Sequence, residues 1–171
     1  AASQVIQRVR QIALEIGGGA VGTVGKLTVH PGAANIVPSQ VRFSVDFRSH
    51  KPAVLDVLTA RLKEAVAEAC RPEGLTSVIT ERMNVRPVNL PTQLRDLIAA
   101  GAKARGISTR TMVSGAGHDT QVMATLTDAA LIFVPSKGGR SHCPEEWTDY
   151  ADLKKGADVL LGTIISVAQG E

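Results

Sequence analysis

Two short loops in this sequence carry the residue types that do chemistry. In Gly139-Arg140-Ser141-His142-Cys143-Pro144-Glu145-Glu146-Trp147, a histidine stands in a glycine-containing turn directly after the apolar run Leu131-Ile132-Phe133-Val134-Pro135. In Ser114-Gly115-Ala116-Gly117-His118-Asp119, a second histidine stands beside a carboxylate after the shorter run Thr111-Met112-Val113. Ligands and metals of open α/β sheets gather at such strand ends. A neutral imidazole there is a good ligand for zinc or a similar ion, especially when a carboxylate orients its second nitrogen, and Glu145 follows His142 by three residues. One histidine is not a site, because a catalytic metal takes about three protein ligands. His118 and Asp119 admit three readings: a general-base pair, a metal pair, or a turn whose Asp119 caps a helix starting at Thr120. Gly115 and Gly117 permit close backbone approach to a ligand or a neighbouring strand, and N–H groups in such a loop can hold an anion.

A third candidate pair is Asn35 and Arg48. Arg48 can grip a carboxylate through two parallel bonds while Asn35 offers an amide; equally, Arg48 can pair with Asp46, two residues away on the same polar face. The signals for a nucleophile are weak. Ser114 does not lie in a Gly-x-Ser-x-Gly elbow, and Cys143 is adjacent to His142, where neighbours in sequence rarely form a catalytic pair. His30 and His50 read as surface residues near strand ends. There is no phosphate loop and no complete dinucleotide fingerprint.

The elements that must position these residues follow from periodicity. Val5, Ile6, Val9, Ile12, Ala13 and Ile16 give a helix, with Ser3 as its cap and Gly17-Gly18-Gly19 as its stop. Val21 to Val29 reads as a strand. From Val41 to Arg48, apolar Val41, Phe43, Val45 and Phe47 alternate with Arg42, Ser44, Asp46 and Arg48, the pattern of a half-buried strand. A helix starting near Pro52 ends at Pro72-Glu73-Gly74, and Leu75 to Val85 alternates as another strand. Helix, strand, strand, helix, strand becomes the split βαβ, ferredoxin-like arrangement once one more strand precedes residue 1. The prolines of Arg86-Pro87-Val88-Asn89-Leu90-Pro91 mark a boundary, giving domains 1–86 and 87–171. Beyond it, helices around Leu94 and Ile98, from Thr120 to Ala124 and from Leu153 to Ala168 alternate with the runs ending at Val113 and Pro135, which predicts a piece of parallel α/β sheet.

Composition narrows the setting. The chain has 171 residues, enough to bury a real core, and that core is aliphatic, since 44% of residues are hydrophobic but only 3% aromatic. A net charge of +3 spread along the chain leaves no nucleic-acid footprint, while acidic small molecules remain plausible ligands. Cys70 and Cys143 are too few for a disulfide framework, no run approaches the roughly 18 apolar residues of a membrane span, and no signal-peptide pattern begins the chain. A cytoplasmic protein with no membrane partner is expected.

In order and spacing, Gly32-Ala33-Ala34-Asn35-Ile36-Val37-Pro38, Val45-Asp46-Phe47-Arg48, Ser114-Gly115-Ala116-Gly117-His118-Asp119, Phe133-Val134-Pro135-Ser136 and Ser141-His142-Cys143-Pro144-Glu145-Glu146 resemble one family. It is the dinuclear metal amidohydrolases that include N-carbamoyl-L-amino acid hydrolase, β-ureidopropionase and allantoate amidohydrolase, relatives of aminoacylase and the zinc exopeptidases. The resemblance implies an α/β fold: a ferredoxin-like lid and dimerisation domain, here lacking its first strand, at 1–86, and the C-terminal part of a zinc-exopeptidase-like catalytic domain at 87–171. It implies hydrolysis of linear amide or ureido C–N bonds of an N-carbamoyl-L-amino acid or allantoate by metal-activated water, two divalent ions (zinc, manganese, cobalt or nickel) and a homodimer formed through the lid. By motif, His142 matches the last metal ligand. Asn35 and Arg48 match lid residues that bind the substrate's amide and carboxylate, and Ser114, Gly115, Ala116, Gly117 and His118 match the loop that contacts substrate. The family's general base and its other ligands match nothing in this chain, so the isolated chain is expected to be inactive and not to retain both ions. Two alternatives remain open: a non-catalytic dimerisation or binding module, and a related aminoacylase or exopeptidase.

Overall fold

The computed structural model describes residues 1–170 and divides into two compact units, Ala1–Pro87 and Val88–Glu171. The first begins with helix α1 (Ala2–Ile16), which buries Val5, Val9, Ile12 and Ala13 along one stripe. Gly17, at φ 66°, ends it, and the Gly17 N–H bonds back to the Ala13 carbonyl at 3.0 Å. Ser3 is not the cap. It lies inside the helix, whose first residue follows Ala1 with no side-chain capping bond.

Strands β1 (Val21–His30) and β2 (Gln40–Arg48) form an antiparallel hairpin, with Val21 opposite Arg48 and His30 opposite Gln40. The register slips between Val24 and Lys26, so Gly25 has no partner and forms a bulge. Residues directly opposite share a face. Gly22 and Val24, at even positions, therefore share a face with Phe47 and Val45, whereas beyond the bulge the odd positions Leu27 and Val29 share it with Phe43 and Val41. The bulge is what lets an irregular apolar spacing in β1 match the strict alternation of β2.

Helix α2 (Pro52–Cys70) starts with Pro52 in its first turn, where the missing N–H costs nothing, and gives way to a 3-10 turn closed by left-handed Gly74 (φ 62°). Both helices pack on the hairpin, and Ile12, Ala13, Leu58 and Ala65 form the core, joined by Phe47, Val54 and Leu55. Each large side chain fully buried there stabilises by about 1.5–3 kcal/mol. Glu15 ties the helices together at the surface, accepting from Arg8 of α1 at 3.0 Å and from Arg61 of α2 at 2.6 Å.

The second unit contains α3 (Thr92–Ala104), the short α4 (Asp119–Met123) and α5 (Tyr150–Gln169). α3 packs on α5, with Ala102, Val159 and Thr163 buried and the Thr163 hydroxyl donating to the Val159 carbonyl at 2.9 Å. Gly156 of α5 leaves a notch for Val134, because a methyl group there would come within 2.6 Å of Val134 Cγ1. The apolar run Leu131–Pro135 thus lies against α5.

Three expected strands are not strands. Leu75 to Val85, Thr111 to Val113 and Leu131 to Pro135 carry no ladder, and the hairpin is the only sheet among the described residues. A strand is a relation between two segments, since its backbone N–H and C=O groups need a partner's. The alternation or apolarity of these runs is real, but the described residues supply no second segment. The expected parallel sheet of the second unit is therefore absent from them. No helix among the described residues is long and apolar enough to cross a membrane.

Candidate functional site

The candidate residues fall in both units. In the first, Arg48 ends β2, and its guanidinium grips Asp46 through two parallel bonds, Nε to Oδ1 at 3.0 Å and Nη2 to Oδ2 at 3.1 Å. Residues i and i+2 of a strand share a face, which is why this pair forms. The Asp46 hydrogen bond, and then its charge, raise the Arg48 pKa above the ordinary arginine value, so Arg48 is a permanent cation. A substrate carboxylate would share that guanidinium with Asp46 or displace it. Asn35 is exposed in the loop 31–39, whose base is closed by the Ser39 N–H donating to the His30 carbonyl at 2.9 Å. That loop is at the other end of the hairpin. From Gln40 to Arg48 the strand rises about 27 Å at about 3.4 Å per residue. One chain does not bring Asn35 and Arg48 together around a small molecule.

In the second unit, the loop Ser114–His118 is organised by one hydroxyl. Ser114 Oγ lies 2.7 Å from His118 Nε2, accepts from the Ala116 N–H at 3.2 Å and contacts the Ala116 carbonyl oxygen at 3.2 Å. Ser114, Ala116 and His118 are half-buried, while Gly115 and Gly117 between them are exposed, so the loop turns its glycine backbone outward. Phe133 packs edge-on against the His118 ring, centroids 5.4 Å apart, which joins the apolar run to this loop. Asp119 is not the helix cap. His118 occupies that position without a side-chain bond, and Asp119 is the first residue of α4, where its negative charge suits the helix N-terminus.

His142 sits in the loop 137–147, whose ends meet where the Lys137 N–H donates to the Trp147 carbonyl at 2.8 Å. Its φ of 57° makes it the one non-glycine residue with positive φ among the described residues, a conformation costing about 1–2 kcal/mol for a side chain bearing a Cβ. Glu146 holds it there: the His142 N–H donates to Glu146 Oε2 at 2.8 Å, while the Glu146 N–H returns to the Cys143 carbonyl at 3.0 Å. Glu145, the carboxylate singled out from the sequence, instead faces Arg140 at 3.7 Å, the two flanking a shallow depression with Lys137, Gly138 and Trp147. Glu146 is the residue that spacing missed. Its signal was a side chain four positions after a histidine between two turn-forming segments.

Among the described residues, no three of His, Cys, Asp or Glu come together as a metal-binding group. Since a catalytic ion takes about three protein ligands, the donors of this chain do not by themselves fit one. His142 contributes at most one donor.

The model of a family described as peptidase family M20/M25/M40 matches residues 3–166. An N-carbamoyl-L-amino-acid amidohydrolase of Paenarthrobacter aurescens is 42% identical over 160 residues, covering 94% of this chain and 39% of that protein. An allantoate amidohydrolase of Bacillus subtilis strain 168 is 36% identical over 146 residues, covering 85% and 35% respectively. Among solved structures, an amidase of the hydantoinase/carbamoylase family from Burkholderia vietnamiensis superposes with a TM-score of 0.90 at 34% identity, over 96% of this chain and 40% of that one. The chain therefore spans about two-fifths of the length of these relatives.

Proposed function

The chain belongs to peptidase family M20/M25/M40, and from that membership we propose that it is the lid and C-terminal portion of a hydrolase of linear ureido or amide C–N bonds. Its substrate is an N-carbamoyl-L-amino acid or allantoate. The observation that carries this reading is the extent of the match: the stretch of family residues 3–166 includes every candidate from Asn35 to His142. In this scheme Arg48 orients the substrate carboxylate, Asn35 binds an amide, and the Ser114–His118 loop lies along the substrate. Water then adds to the carbamoyl or amidino carbon and the C–N bond breaks. The groups that activate that water lie outside this chain. By itself the chain is a binding and dimerising part. The active protein is a homodimer joined through residues 1–86, supported by the separation of Asn35 from Arg48 along the hairpin.

The test is a hydrolysis panel of N-carbamoyl amino acids, allantoate and dipeptides with protein extended to the relatives' length. Ureido-acid turnover is expected, and Arg48→Lys should lower kcat/KM about 10- to 100-fold, the loss of one or two charge-assisted bonds. Turnover of dipeptides alone would transfer the protein to the exopeptidase branch.

A further inference from the structure

The Ser114 hydroxyl has one proton and three neighbours, and that arithmetic fixes more than the shape of its loop. The neighbours are the Ala116 N–H, the Ala116 carbonyl oxygen and His118 Nε2, at 3.2, 3.2 and 2.7 Å. A hydroxyl offers one donor and two acceptor lone pairs. Suppose Oγ–H points to Nε2. The carbonyl oxygen of Ala116 then faces an oxygen with no proton to give, and one of the three contacts is lost. Suppose instead that Nε2 carries the proton. Nε2–H and the Ala116 N–H then donate to the two lone pairs of Oγ, Oγ–H donates to the Ala116 carbonyl, and all three contacts are hydrogen bonds. Ser114 and His118 are half-buried, which limits the water that can replace a lost partner. Phe133 packs edge-on against the ring, centroids 5.4 Å apart.

We propose that Ser114 is a positioning residue that holds His118 as its Nε2–H tautomer and thereby leaves Nδ1 as a hydrogen-bond acceptor for a ligand. The hydrogen bond made by one ring nitrogen decides what the other can do. An Nδ1 acceptor pairs with an N–H donor. A ureido or amidino group carries such donors on both sides of its central carbon, whereas an ester carries none. This last step rests on the ureido-acid reading of the loop; the tautomer lock does not.

The experiment is imidazole NMR of the protein labelled with 15N-histidine, in mildly alkaline buffer without ligand, with the His118 resonances assigned by their absence in His118→Gln. The expected His118 ring has a slowly exchanging proton on Nε2 and an unprotonated Nδ1. That proton should exchange too fast to be seen in Ser114→Ala and return in Ser114→Thr, which restores the hydroxyl. A proton on Nδ1, or an Nε2 signal indifferent to Ser114→Ala, would overturn the lock, and the wild-type ring decides the matter alone should Ser114→Ala fail to fold. In the extended protein, Ser114→Ala should lower ureido-acid kcat/KM about 10-fold, with recovery in Ser114→Thr. Unchanged kcat/KM in Ser114→Ala overturns the substrate step, and failure of every ureido acid to react overturns the function while the NMR result stands.

Discussion

At the scale of single residues, short charge-assisted contacts do most of the local fixing. Glu146 stabilises a left-handed histidine, Asp46 fixes Arg48, and Arg86 fastens the end of the first unit to α2, donating from Nη2 to Asp56 Oδ1 at 2.8 Å and from Nη1 to the Pro52 carbonyl at 3.2 Å. The Arg86 hydrogen bond, outweighing an opposing desolvation and aided by the Arg86 charge, holds the Asp56 pKa below the ordinary aspartate value. A lowered carboxylate pKa contributes stability that is complete above the unfolded-state value, about 3.9, and disappears as pH falls through the folded-state value. Asp56→Asn should therefore lower the urea midpoint at neutral pH, and the difference from the unsubstituted protein should close in the acid range below about pH 4. A gap that persists there would place the effect of Asp56 in packing instead. The Arg48 and Asp46 pairing shows what spacing can and cannot tell: i, i+2 on an alternating strand made it legible, whereas the grip of Glu146 on the His142 backbone depends on a turn geometry that residue types leave open.

At the scale of elements, what the sequence makes legible is whatever depends on near neighbours. α1, α2, α3 and α5 follow from apolar stripes repeating within four residues, and β2 from its alternation. The runs ending at Val85, Val113 and Pro135 were legible as apolar but not as strands, because pairing depends on a distant segment that a local pattern does not encode. Gly22 belongs to the same class of hidden information. It pairs with Phe47, and a Cβ at this position would lie 2.7 Å from Phe47 Cε1 and 2.8 Å from the Val9 carbonyl oxygen, so α1 crosses β1 where the strand has no side chain. Gly22→Ala should destabilise the first unit by about 1–3 kcal/mol, the usual cost of overpacking. Thermal unfolding checks this, and a melting temperature equal to that of the unsubstituted protein would mean that α1 can lift off the strand without cost.

At the scale of the whole molecule, the chain has two separately packed units and covers about two-fifths of its relatives. Much apolar surface lies open: Leu160, Leu161, Ile164 and Val167 of α5 are each more than half exposed. Contiguous apolar faces of this kind are normally covered in a finished protein. The separation of Asn35 and Arg48 along the hairpin is the sharper consequence. If Asn35 and Arg48 serve one substrate from two copies, mixing inactive Asn35→Ala and Arg48→Ala proteins of the relatives' length creates one intact site per mixed dimer. Ureido-acid hydrolysis should return on mixing, and two preparations that stay inactive together would show that each site draws on a single copy. The candidate residues were picked out by type and order, but the placing of Asn35 and Arg48 at opposite ends of a hairpin was not legible, because it follows from a register.

The unpaired Gly25 has a final implication, for how this protein tolerates change over time. Because the apolar positions switch from even to odd at the bulge, the ten-residue β1 behaves as two short rulers joined out of phase. Replacing a residue on either ruler alters one contact, and losing the unpaired Gly25 would leave a regular ladder, but removing one residue from within an arm would turn the side chains beyond it to the opposite face. Lineages of this protein should therefore drift in the composition of β1 while holding the length of each arm fixed, the reverse of what is expected of an ordinary surface loop.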